Sequence, residues 1–256
     1  MSEYINNRQH RRQQLKRMIH QLHQGRSPDE LKTEFADILK DVGASEIGVL
    51  ETELIAEGLP EDEVKRLCDV HVAVFADALV EQPKPETVPG HPVHTFRAEN
   101  AALAGVLEQV KLAAARFYAA GGPAEARSAL DALRPVLLQL KQVEKHYLRE
   151  ENLLFPYLEK HGFKGPSTVM WALHDEVRAA FRQLLKIYER LDEYELSALK
   201  RAVAETLNPA LEKIAGLLTK EENILFPMSL ERLSEDEWLA IKNESDAIGY
   251  ALIEPA

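Results

Sequence analysis

A string of eight residues occurs twice in this chain with only two conservative changes, Arg149 to Lys220 and Leu153 to Ile224, and its form limits the fold. Arg149-Glu150-Glu151-Asn152-Leu153-Leu154-Phe155-Pro156 returns 71 positions on (150 to 221) as Lys220-Glu221-Glu222-Asn223-Ile224-Leu225-Phe226-Pro227. Each copy sits on an apolar helical stripe. Val143, His146, Glu150 and Leu153 share one face; Leu211, Ile214, Leu217, Leu218, Glu221 and Ile224 share another. In both stripes a glutamate stands where the period asks for an apolar side chain. A carboxylate facing a core is costly unless it protonates, pairs or binds a metal.

The remaining pattern is also helical, and no Val/Ile-rich alternating run suggests a sheet. Ser27-Pro28-Asp29-Glu30 has the form of a capping box with proline at the first helical position. Ser45 starts a helix that Gly58 ends, and Pro60 opens another through Leu67, Val70, Val74 and Leu79. Residues 82–90, with three prolines and a glycine, interrupt every period. They divide the chain into an N-terminal helical domain (1–81), a linker (82–90) and a second domain (91–256). That domain carries four long helical segments, about 92–119, 124–160, 167–191 and 195–231, and a short capped helix after Ser234. Links as short as Gly121-Gly122-Pro123 make neighbours antiparallel. The expected fold class is all-α: an up-down four-helix bundle preceded by a small helical domain.

Composition removes several function classes. A net charge of −11 argues against nucleic acid or an anionic membrane as partner. One cysteine, Cys68, leaves no intramolecular disulfide and suits a reducing compartment. No apolar run nears the roughly 20 residues of a membrane span, and the polar N-terminus is no secretory signal. The expected location is the cytoplasm. There is no phosphate-binding glycine loop, serine-nucleophile elbow or paired C-x-x-C. Cys68 and His71 are one turn apart, which reads as a packing pair, and His10, His20, His23 and His161 read as solvated.

His174 lies in the stripe Met170, Val177, Phe181, Leu184 and Tyr188. Alone, it would be a satisfied core histidine. Alone, each interior glutamate would be salt-bridged to Arg149, Arg178 or Lys220. Together, two glutamates and two histidines on three helices face inward with no matching inward cation, as in a di-metal site inside a bundle. Imidazole with carboxylate suits iron, zinc or manganese. His91 and His94 enter the first bundle helix and are further candidates. Glu99, nearer the centre of that helix's stripe, is a reserve ligand or a partner that orients a histidine. The candidate metal ligands are therefore His91, His94, His146, Glu150, His174 and Glu221.

His146-x-x-x-Glu150 with Asn152-Leu153-Leu154-Phe155-Pro156, then Met170-Trp171-Ala172-Leu173-His174-Asp175-Glu176, then Glu221 to Pro227, resemble the helix signatures of the haemerythrin-like family, named for its His-His-Glu ligands. The resemblance covers about 90–232. Leu67-Cys68-Asp69-Val70-His71 and Gly90-His91-Pro92-Val93-His94-Thr95 look like a helical domain of unknown function that precedes such bundles. The resemblance implies a non-haem di-iron centre, with His146 and His174 as terminal ligands and Glu150 and Glu221 as bridges. Two departures stand out: Leu217 replaces the histidine four before Glu221, and Glu99-Asn100 stand where the first helix usually supplies one. One iron would then be ligand-poor, completed by His91 and His94 or left with open positions. The function implied is binding or sensing of oxygen, nitric oxide, or iron or redox state, with two irons per chain and a protein partner docked by residues 1–81. One iron or a zinc is the alternative content. The alternative functions are a di-iron oxidase or peroxidase, an iron-centre repair factor, and a metal-free interaction scaffold.

Overall fold

The computed structural model describes residues 2–39, scattered positions between 46 and 58, and 88–255. Every described element is a helix, as expected, and no strand occurs among the described residues. The helix expected from Pro60, the Cys68–His71 pair and most of the expected linker lie outside the described residues.

Two compact units are present. The first gathers Met1–Glu86, Leu158–Met170 and Lys220–Leu233. Its helices are α1 (Ser2–His23), α2 (Pro28–Glu34) and α3 (Ala36–Leu39). In α1 the apolar residues Leu15, Met18, Ile19 and Leu22 fall on one face and are buried with Leu31, Phe35 and Leu50. Ser27 and Pro28 take the expected N-cap and first positions of α2, but the Ser27 hydroxyl makes no cap hydrogen bond.

The second unit comprises Thr87–Tyr157, Trp171–Thr219 and Ser234–Ala256. Helices α4 (Pro92–Ala119) and α5 (Pro123–Leu140) pack along each other after the Gly121-Gly122 turn. The sequence suggested one helix from 124 to 160. Instead α5 ends at Leu140 and α6 (Val143–Arg149) begins beyond a tightened turn. There the amides of Gln142, Glu144 and Lys145 each donate to the carbonyl three residues back, at 3.0, 3.2 and 3.0 Å.

Both copies of the repeated string then widen into π-helix, π1 (Glu150–Leu154) and π2 (Glu221–Leu225). The Phe155 amide donates to the Glu150 carbonyl five residues back, and Phe226 does the same to Glu221. The following prolines give the reason. Pro156 and Pro227 lack an N–H, and their rings would strike the carbonyls of Asn152 and Asn223 in a regular helix. A widened turn makes room, and such bulges are frequent at functional sites. The helices α7 (Phe155–Lys160), α8 (Lys164–Glu189), α9 (Leu196–Lys220) and α10 (Phe226–Arg232) carry the other bundle segments. Last, α11 (Glu235–Ile248) starts with a closed capping box: Ser234 accepts from the Glu237 amide at 3.4 Å, and Glu237 accepts from the Ser234 amide at 2.9 Å.

Candidate metal centre

Glu150 stands between two imidazoles. Its Oε1 lies 3.6 Å from Nε2 of His146, and its Oε2 lies 3.4 Å from Nε2 of His174. All three side chains are fully buried. Both separations are longer than an N–H···O hydrogen bond. They match a carboxylate and an imidazole that share an ion rather than a proton.

Two outer carboxylates set the direction of the rings. Nδ1 of His146 is 2.9 Å from Glu99 Oε2, and Nδ1 of His174 is 2.8 Å from Glu151 Oε1. A carboxylate acceptor draws the ring proton to Nδ1 and turns the Nε2 lone pair toward Glu150. Neutral imidazole presenting Nε2 is the form that ligates a metal. Aromatic rings limit the remaining rotation. Tyr147 stacks on His174 with centroids 3.8 Å apart, and Phe96 meets His146 edge-on at 5.0 Å.

Each outer carboxylate has its own arginine. The expectation that no cation faces inward is overturned: Arg149 is 1% exposed and pairs with Glu99. Its guanidinium lies over the rings of Phe96 and Tyr250, at 4.5 and 4.6 Å, so part of its lost hydration is replaced by π-faces. Burial pulls Arg149 below the usual arginine range, while Glu99 pushes the other way. Lys220 is buried as well. On the other side Arg178 donates to Glu151 at 2.8 Å and to Glu144 and Asp175. Burial alone would raise the Glu151 carboxyl; the bonds from His174 and Arg178 outweigh it and hold Glu151 below the ordinary carboxylate range.

Glu221 is fully buried on π2, the counterpart of Glu150 on π1. His146, Glu150 and Glu221 each offer a ligand atom, and those atoms lie within 4.8 Å of one another. Leu217 is fully buried, and Asn100 is 4% exposed.

The two entry histidines are placed differently. His91 is the N-cap of α4: its Nδ1 accepts from the Val93 amide at 3.1 Å, and its ring lies 4.8 Å from Trp238. His94 is half-buried. Neither belongs to the group formed by His146, Glu150 and Glu221. Burial lowers the His91 pKa, which keeps the ring in the neutral form that a cap acceptor requires. His91→Ala is expected to cost about 1 kcal/mol, with His91→Asn near wild type in thermal unfolding. Because the folded-state pKa is depressed, the wild-type contribution is full above the unfolded value of about 6.5 and fades as pH falls below it. An NMR titration of His91 checks the direction.

The sequence offered Arg149 only as one possible partner of an interior glutamate, and Glu151 not at all as a site component. Glu151 follows Glu150 directly, about 100° round the helix, so a stripe count assigns it outward. The Glu-Glu doublet in both copies was the available signal.

A helical bundle with imidazoles and carboxylates gathered in its core defines a cation-binding bundle protein. Residues 91–229 match the Hemerythrin HHE cation binding domain, and the chain belongs to that family. Residues 15–81 match a family of unknown function, DUF438. No curated protein matches the chain. No helix among the described residues is long and apolar enough to cross a membrane.

Proposed function

We propose that this bundle holds a non-haem di-iron centre and uses it to bind or sense oxygen or nitric oxide. The observation that carries the reading is the single carboxylate of Glu150 with one oxygen toward each imidazole Nε2. His146 and His174 would be the terminal ligands, and Glu150 and Glu221 the shared carboxylates. The donor set fits: two oriented imidazoles and buried carboxylates suit iron better than calcium or magnesium, which prefer oxygen alone. Iron with few protein donors supplies open positions for a diatomic ligand. The chain's own residues supply orientation through Glu99 and Glu151, and a dry enclosure through Tyr147, Phe96 and Phe155.

A cavity of about 200 Å³ is walled by Val177, Arg178 and Phe181, and its Arg178 is the arginine that holds Glu151. Iron-loaded, reduced protein exposed to nitric oxide should develop new visible absorption, and the same protein in Glu150→Ala form should not. Unchanged spectra in the iron-loaded wild type would end the diatomic-ligand reading while leaving iron binding intact.

A metal-free scaffold is the second reading. It is favoured by the paired state of Glu99 and Glu151, which resembles a polar network fixing helix register. It gives no reason for both Glu150 oxygens to stand 3.4 and 3.6 Å from imidazole nitrogens.

A further inference from the structure

The residues that finish the His146 side of the site come from a part of the chain beyond the matched 91–229. After α11, Gly249 turns the backbone with φ of 86°, a conformation that a side chain would strain. That turn brings the Ala251 amide to Glu99 Oε1 at 2.6 Å, with Ala251 itself fully buried. It also lays the Tyr250 ring over the guanidinium of Arg149, the partner of Glu99, at 4.6 Å. The Tyr250 hydroxyl donates to Asp246 at 2.6 Å, one turn back on α11, which fixes the ring. Further along α11, Trp238 packs on the His91 cap of α4.

Glu99 thus has two oxygens with separate tasks. Oε2 takes His146 and Arg149; Oε1 takes the Ala251 amide. A carboxylate held by one oxygen alone can rotate about its last bond. Held at both oxygens, it fixes the imidazole in front of it. The His174 side is built otherwise: Glu151 is held by Arg178, a side chain 17% exposed.

We propose that Tyr250 and the Ala251 backbone form a positioning latch. It locks Glu99, and through Glu99 the Nε2 of His146, so the metal on that side dissociates slowly. The release-rate part of this rests on the proposed metal centre; the ring-orientation part does not.

The test uses the full chain with 15N-labelled histidine. In metal-free wild type, the Nδ1 protons of His146 and His174 are expected as slowly exchanging downfield signals. Ala251→Pro removes the amide donor and is expected to lose the His146 signal while His174 keeps its own. Zinc-loaded Ala251→Pro should then release zinc to a chelator about 10-fold faster or more, the usual scale for loss of a partner that orients a ligand. Ala251→Ser, which keeps the backbone amide, should match wild type.

Unchanged signals and release in Ala251→Pro would overturn the latch, as would loss of both histidine signals with helical content preserved. Should Ala251→Pro fail to fold, Tyr250→Ala decides: selective loss of the His146 signal supports the latch, and an unaltered pair of signals refutes it. A chain that binds neither iron nor zinc, while its Ala251→Pro form loses only the His146 signal, keeps the ring-orientation part of the latch and sinks the metal reading.

Discussion

Glu150→Ala is expected to strip the protein of iron. It removes the one carboxylate that faces both imidazoles, so both ligand sets lose a member at once. Affinity should fall by more than the roughly 10- to 100-fold that follows loss of an orienting partner, and iron after purification should drop to background. Glu151→Gln, which only loosens His174, should fall within that range. Asn152→Ala, on the same π-turn but exposed, should retain wild-type iron. Stability should move in opposite directions with and without metal. Metal-free Glu150→Ala loses a buried carboxylate and should be no less stable than wild type. The iron-loaded comparison should favour wild type, because metal bound only to the folded chain adds to its stability. Elemental analysis and thermal unfolding of both forms check this.

Glu99→Ala should be the most destabilising single change in the metal-free protein. Arg149 is 1% exposed, and Glu99 is its buried counter-charge. Removing one partner of such a pair leaves an uncompensated charge in the core, which costs about 3–5 kcal/mol. Urea unfolding of metal-free protein, followed by the fluorescence of buried Trp238, measures it. Arg149→Met in the same chain should recover much of the loss, since the damage is the stranded cation and not the missing bond. If Glu99→Ala alone unfolds as wild type does, Arg149 is not held in the core as described. Glu99→Ala should also weaken iron binding, because His146 loses its Nδ1 acceptor.

Most of the fold was readable because helices announce themselves by period and by punctuation. Pro92, Pro123, Ser234 and the Gly121-Gly122 turn each mark a boundary that the structure keeps. The core pair His146 and Glu150 was readable for the same reason, since four residues bring two side chains to one face. What periodicity could not supply was any departure from it. The tightened turn at Lys141-Gln142 and the two π-turns shift the register locally, and only the prolines at 156 and 227 hint at the latter. Arg149 was legible only as one of three possible partners for an interior glutamate, because the one it pairs with, Glu99, lies 50 residues away in the chain. Ala251 could not be found at all, because a backbone amide leaves no signature in sequence.

The most direct test is metal content per chain, by elemental mass spectrometry on protein expressed with iron and purified without added metal. The arrangement around Glu150 predicts close to two irons per chain in the wild type and none in Glu150→Ala. Wild-type protein free of both iron and zinc would contradict it, and the buried histidines and glutamates would then be a register-fixing network.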